Sequence, residues 1–295
     1  MKNQIELFSS AQKNIAKKAR SGTFVDNMKL PIHRWFRYSA GFSAEWVESV
    51  IMQMAKERIS SKLNILDPFS GSGTTLLASE HMAVRSYGFE SHPFVARITK
   101  AKLLWHKVNL IDFEDEVNFL ISRAREEDES ISNAAPLLIK CYSEDVLKKL
   151  FSLKKIFLTV DKKTYVNQLS WLAITSILRS CSHAGTAQWQ YILPNKTKSK
   201  VLDPFDALQS KVKQIIMDIE YAKQEYSPLA RFFQLDARLA SQIPERTIDL
   251  VITSPPYPNN YDYADATRLE MTFWNEIEGW RDLHEKVRKH IICSC

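Results

Sequence analysis

The feature that most constrains the fold is a short apolar run that ends in a glycine turn. Ile65-Leu66 leads into Asp67-Pro68-Phe69-Ser70-Gly71-Ser72-Gly73-Thr74-Thr75, and a helical pattern follows to about Met82. Ser86 to Phe89 reads as a second strand with Glu90 at its end, and a further helix starts near Pro93 and runs to about Trp105. Strand, tight turn, helix, strand, helix is the opening half of an open parallel sheet, because parallel neighbours need a crossover that a helix supplies. Upstream, Ser43 stands where an N-cap belongs, before a helix whose apolar stripe is Trp46, Val47, Val50, Ile51 and Met54.

This rhythm breaks after Val108. Helix-period patterns occupy 111–126, 143–157, 164–181 and 203–224, with no legible alternating strand, and Asp203-Pro204-Phe205 reads as a helix start. Strand patterns return at Leu229–Gln234 and Ile248–Thr253. The expected organisation is a polar arm over 1–22, a cofactor-binding half over 23–108, a helical insert over 109–226 and a catalytic half over 227–295. The fold class is therefore α/β with a helical insertion. Only four sheet strands can be counted before Cys295, which leaves the last one beside an unfilled edge. The expectation is an incomplete sheet, either finished by a second polypeptide or belonging to a truncated product with weak activity of its own.

Composition narrows the class. A chain of 295 residues with 45% hydrophobic and 25% charged residues suits a globular protein with a substantial core. No apolar run approaches the roughly 18 residues that span a bilayer, and Met1 to Arg20 has no apolar signal core, so a cytoplasmic location is expected. Cys141, Cys181, Cys293 and Cys295 do not form a ligand set, and no metal site is expected.

Two constellations carry chemistry. In a doubly wound sheet, ligands sit beyond the carboxyl ends of the strands. There Gly71 and Gly73 let the backbone approach a ligand, Asp67 faces a cationic group, Phe69 offers an apolar wall, and Glu90 suits the two hydroxyls of a ribose. Asp236, after the third strand, suits an adenine amine or serves as a helix cap. A dinucleotide is disfavoured because Leu76 replaces the third glycine of the usual fingerprint. The second constellation is Thr253-Ser254-Pro255-Pro256-Tyr257. The Ser254 hydroxyl and the Pro255 carbonyl suit the two N–H bonds of an exocyclic amine. Paired prolines stiffen the backbone, and Tyr257 offers a face to a base swung out of its stack.

Together, the Asp-Pro-Phe-x-Gly-Ser-Gly-Thr-Thr and Ser-Pro-Pro-Tyr forms resemble the amino-methylating, cytosine-N4/adenine-N6 DNA methyltransferases. The resemblance covers about 24–106 and 228–275, with the insert matched only loosely. It implies a Rossmann-like S-adenosylmethionine-dependent methyltransferase sheet, with S-adenosylmethionine as cofactor and DNA as substrate, within restriction-modification. It adds Thr74 and Thr75 to the cofactor turn. It also likens the aromatic segment from His33 to Ser43, with Trp35 and Tyr38, to the family's N-terminal cofactor motif. Serine in the first position of the tetrapeptide leans toward cytosine N4. Adenine-N6 methylation, an RNA amine substrate, and a non-catalytic cofactor- or DNA-binding remnant are the alternatives.

A net charge of +6 favours a polyanionic partner without identifying it. Lysines concentrate between 148 and 213, at Lys148-Lys149, Lys154-Lys155, Lys162-Lys163 and then Lys196, Lys198 and Lys200. Solvated helix faces account for each pair singly. Their density points to phosphate contacts, with Lys196, Lys198, Arg179, His183, Gln188 and Trp189 as the DNA-contact candidates, Trp189 reading slightly better as a core anchor.

Overall fold

The computed structural model describes residues 24–38, 40–57, 63–161, 164–187, 191–255 and 262–291. In chain order the helices are α1 (Ala44–Glu57), α2 (Thr74–His81), α3 (Pro93–Leu103), α4 (Leu110–Arg125), α5 (Pro136–Cys141), α6 (Glu144–Phe157), α7 (Tyr165–Cys181), α8 (Pro204–Glu225), α9 (Arg268–Phe273) and α10 (Trp280–Leu283). The strands are β1 (Asn64–Asp67), β2 (Arg85–Phe89), β3 (Ala184–Thr186), β4 (Ile192–Thr197), β5 (Ala230–Phe233) and β6 (Leu250–Val251). No helix among the described residues is long and apolar enough to cross a membrane.

Two compact units emerge, one of residues 24–106 and 219–255 and the other of residues 107–218 and 262–289. The first holds a four-stranded parallel sheet in the order β5-β2-β1-β6, and is thus an α/β, Rossmann-like layer. Asn64, Ile65, Leu66 and Asp67 pair with Arg85, Ser86, Tyr87 and Gly88, and Ser86 to Phe89 pair with Ala230 to Phe233. β6 is short, but flanking bonds lengthen the pairing: Asp249 N–H reaches Asn64 O at 2.9 Å and Ile252 N–H reaches Leu66 O at 3.0 Å. One face of the sheet packs on α1 and α2 through Val47, Ile51, Ile65, Ala78, Val84 and Ile252. This register brings the carboxyl ends of β1, β2, β5 and β6 to one side, which is where open sheets of this kind bind ligands.

The second unit is helical, with α4 packed on both α6 and α7. Its core includes Phe113, Leu120, Leu147, Leu150, Phe157, Leu169 and Trp171. The helix read from Asp203-Pro204-Phe205 starts there, with the Phe205 N–H on Asp203 Oδ1 at 2.9 Å. Two features depart from the sequence analysis. The stretch read as strandless contains an antiparallel ribbon, β3 with β4. Its ladder bonds are made by the backbone, while residues 195–197 are exposed, so no alternation of apolar residues announces it. Residues 262–289, assigned from sequence to the catalytic half, pack with the helical unit instead. Leu269, Met271, Phe273, Leu283 and Val287 are buried there, and Trp274 Nε1 donates to Thr175 Oγ1 at 2.9 Å.

Gly88 tests the tightness of the sheet's carboxyl end. A Cβ there would lie 2.3 Å from Ser70 Oγ and 2.8 Å from Leu76 Cδ1, and Ser70 Oγ is already bonded to Asp67 O. Gly88→Ala is expected to destabilise the protein by about 1–3 kcal/mol through overpacking. Urea denaturation measures this, and a wild-type midpoint would show that the turn yields without cost.

Candidate active site

The glycine turn is held by its own backbone before any ligand is considered. Ser70 N–H donates to Phe89 O at 2.9 Å and Gly73 N–H to Ser70 O at 2.8 Å, which ties the turn to the end of β2. Gly71 and Gly73 have φ of +51° and +88°, values that strain any residue with a side chain. Space is equally limiting. A Cβ on Gly71 would lie 3.3 Å from the Tyr38 ring, and one on Gly73 would lie 3.0 Å from Thr99 Cγ2. Thr99 also donates its hydroxyl to Gly71 O at 2.6 Å. Thr74 and Thr75 follow as the buried first turn of α2.

Two carboxylates face this turn from adjacent strand ends. Asp67 is fully buried, and its Oδ1 accepts from Phe69 N–H at 3.1 Å and from the Thr253 hydroxyl at 2.7 Å. Its Oδ2 is shut away from water with no protein partner. Glu90 accepts from Gly71 N–H at 2.9 Å through Oε2 and from His92 N–H at 2.7 Å through Oε1. Burial pushes Asp67 up from 3.8 to about 6, against its hydrogen bonds. Burial also lifts Glu90 from 4.5 to about 7, opposed by backbone N–H groups, and the nearby Asp67 adds to the rise. An enclosed acid pair with an unpaired oxygen is chemically suited to a ligand bearing a positive charge and hydroxyl donors.

The aromatic segment supplies a wall. Tyr38 is buried with its ring against Gly71, and Trp35 is fully buried in the short 3-10 turn His33–Trp35. Lys102 Nζ, itself buried, donates to the His33 carbonyl at 3.1 Å and so anchors that turn to α3. Phe69 is half-buried beside the glycine turn. Asp236 is engaged locally: its carboxylate caps the 3-10 turn Ala237–Leu239 through Arg238 N–H at 2.9 Å and pairs with the Arg238 guanidinium.

Ser254 is half-buried and Pro255 exposed, directly after the β6 ladder. Pro256 and Tyr257 lie outside the described residues, as do Gln188, Trp189 and the Lys162-Lys163 pair. Thr99, Lys102 and His92 are site neighbours that the sequence did not single out, and Thr253 stood in the second constellation without a role of its own. Thr253 adjoins Ser254, but its partner stands 186 residues away in sequence, so no local pattern reveals it.

The basic candidates in the helical unit have internal work. Arg179 grips Glu270 at 2.5 and 3.1 Å and the Ala266 carbonyl at 2.8 Å, which is an internal clamp. Lys198 Nζ donates to the Arg179 carbonyl. His183 meets the Lys140 carbonyl through Nε2 at 3.2 Å. Lys148, Lys149 and Lys155 pair with Glu144, Asp145 and Glu127 respectively, and Lys154 is buried with its ammonium on Phe273 O. Lys196, on β4, is exposed.

Comparison with known proteins fits this geometry. Residues 6–101, about a third of the chain, match the family model N6_N4_Mtase, described as DNA methylase. The chain is 24% identical over 296 residues to the Type II methyltransferase M.AvaI of Nostoc sp., covering 92% of this chain and 59% of that protein. It is 26% identical over 295 residues to the Type II methyltransferase M.BsoBI of Geobacillus stearothermophilus, covering 91% and 57%. The chain thus spans less than two thirds of the length of these relatives. No solved structure matches it.

The raised carboxyls carry a signed consequence for stability. An acid whose pKa is higher in the folded state holds its proton more tightly there, so stability falls as pH rises through the interval between the two values. For Glu90 that interval runs from about 4.5 to about 7. At about 1.4 kcal/mol per pH unit, the loss reaches roughly 3 kcal/mol. Glu90→Gln is expected to shrink the drop in stability between pH 5 and pH 8, leaving the shares due to Asp67 and to Glu80, which burial also raises to about 7. Denaturation at both pH values decides it, and an unchanged drop would show that Glu90 is not the titrating group.

Proposed function

We propose that this chain is an amino-methylating DNA methyltransferase, which methylates an exocyclic amine of a DNA base, the N4 amine of cytosine, using S-adenosylmethionine. The observation that carries the reading is the tie between the two turns. Asp67, beside the glycine turn, is bonded through Thr253 to the strand end that presents Ser254. One buried acid thus joins the motif suited to the cofactor and the motif suited to the target.

The residues fit the cofactor's chemistry. The unpartnered Oδ2 of Asp67 suits its positive charge, and Glu90 suits the ribose hydroxyls. Gly71, Gly73, Thr74 and Thr75 form the cradle, Phe69, Trp35 and Tyr38 the apolar side, and Asp236 is the candidate for the adenine amine. The cofactor, when bound, supplies an electrophilic methyl group. The chain's task is to bind the amine as positive charge develops on its nitrogen, and acceptors fixed in advance do this without reorganisation. Ser254 Oγ and the Pro255 carbonyl take its two N–H bonds, Pro256 keeps the turn rigid, and Tyr257 stacks on the extruded base.

Serine at 254 favours cytosine N4 over adenine N6 by its resemblance to the family pattern. The relatives' names, Type II methyltransferases, support a sequence-specific role in restriction-modification. A second polypeptide is not supported, because these relatives carry the matched region and further length in single proteins. In the helical unit, Lys196 is the foremost candidate for a phosphate contact. Arg179, Lys198 and His183 then act by holding the ribbon on which it stands.

Incubation with methyl-labelled cofactor and DNA, followed by nucleoside analysis, is expected to give N4-methylcytosine. Label in N6-methyladenine alone would replace the target base, and label in RNA but never in DNA would replace the substrate class. Ser254→Ala is expected to keep cofactor affinity within about twofold while methyl transfer falls by about 100-fold or more, the scale of a lost transition-state hydrogen bond. Equal loss of both would mean that the turn collapses. Lys196→Glu is expected to weaken DNA binding and to flatten its salt dependence by about one phosphate contact. An unchanged slope would place the contact elsewhere.

A further inference from the structure

We propose that Thr253 is a positioning residue that couples the cofactor turn to the catalytic turn. Its hydroxyl pins one oxygen of Asp67, leaving the other oxygen to a cationic ligand, and the same bond steadies the backbone that carries Ser254. The inference rests on the functional reading above and deepens it, since that reading gives roles to Ser254 through Tyr257 and none to Thr253.

The geometry is specific. Thr253 Oγ1 donates to Asp67 Oδ1 at 2.7 Å, and Phe69 N–H donates to the same oxygen at 3.1 Å. Thr75 adds a further hydroxyl contact to the carboxylate and reaches toward Ile252 O at 3.5 Å. Oδ1 is therefore occupied, while Oδ2 is buried and unpartnered. A carboxylate held by donors on one side cannot rotate freely, so the position of Oδ2 is set by Thr253 together with Phe69 and Thr75. On the strand side, the last ladder bond is Ile252 N–H to Leu66 O at 3.0 Å. Thr253 is the next residue, and its hydroxyl carries the attachment one step further toward Ser254. A threonine at a strand end is ordinarily a packing residue. One that spends its hydroxyl on a buried carboxylate does more.

Titration gives a readout that packing alone would not move. A donor to Asp67 favours its ionised form, so losing Thr253 should raise the pH at which Asp67 accepts a cation. Glu90 is the titratable group facing Asp67, and its own ionisation is separated by a Glu90→Gln background.

Thr253→Val keeps the shape and removes the donor, whereas Thr253→Ser keeps the donor. Calorimetry with S-adenosylmethionine from pH 5.5 to 8.5 is expected to show the binding midpoint of the valine variant moved up by about one unit. Its affinity should then fall severalfold at pH 6.5 and much less at pH 8.5, and kcat with saturating cofactor should fall about tenfold. Serine should restore both. A valine variant with wild-type midpoint and kcat, changed only in thermal stability, would overturn the inference. Wild-type binding without methylation of any nucleic acid would remove the functional reading while the midpoint shift still upheld the coupling at Asp67. Absence of cofactor binding by the wild type would overturn both.

Discussion

The carboxyl end of the sheet is organised around one carboxylate taken out of water. Burying an acid is unfavourable unless donors or charge compensate, and Asp67 receives donors on one oxygen alone. Those donors come from its own turn and from Thr253, 186 residues away in sequence, so the compensation and the assembly of the site are the same event. Glu90 repeats the device on the neighbouring strand, using the N–H groups of Gly71 and His92. Two enclosed acids side by side resist joint ionisation, and a bound positive charge relieves both.

A third enclosed acid supports these two from behind. Glu80, near the end of α2, accepts from Trp105 Nε1 at 2.8 Å and from Ala230 N–H at 3.2 Å, and its carbonyl takes Ser227 N–H at 2.9 Å. Burial pushes this carboxyl up to about 7. It joins the helix that follows the glycine turn to the start of β5, an edge strand that is only partly buried. Next to it, His81 meets Glu48 at 2.8 Å and stacks near Tyr226, which secures α1 and the end of the α8 connection. The sheet's edges thus rely on polar ties where apolar cover is thin.

In the helical unit, charge is spent inward. Arg179 and Glu270 are both largely buried and satisfy one another, and the arginine also takes the Ala266 carbonyl. Removing one member would leave the other unpaired in a low-dielectric interior, at a cost of about 3–5 kcal/mol. Lys148, Lys149 and Lys155 on α6 are likewise matched by acids of the same unit, and Lys154 by the Phe273 carbonyl. A basic composition is therefore a poor map of a binding surface, because many of the cations that produce it already have partners.

Four strands, the helices between them and the glycine turn were legible in the sequence because each has a local signature. Strand-ending acids, glycines at positive φ and helical apolar spacing are decided within a few residues. The β3–β4 ribbon was not legible, since its bonds are made by backbone and its side chains do not alternate in burial. Nor was the return of residues 262–289 to the helical unit, which depends on shape and on partners such as Arg179 and Thr175 distant in sequence. The sequence by itself determined which chemical groups stand at the strand ends. The tertiary structure alone decided which of them meet, because the hydrogen bond from Thr253 to Asp67 exists only once β6 has paired with β1.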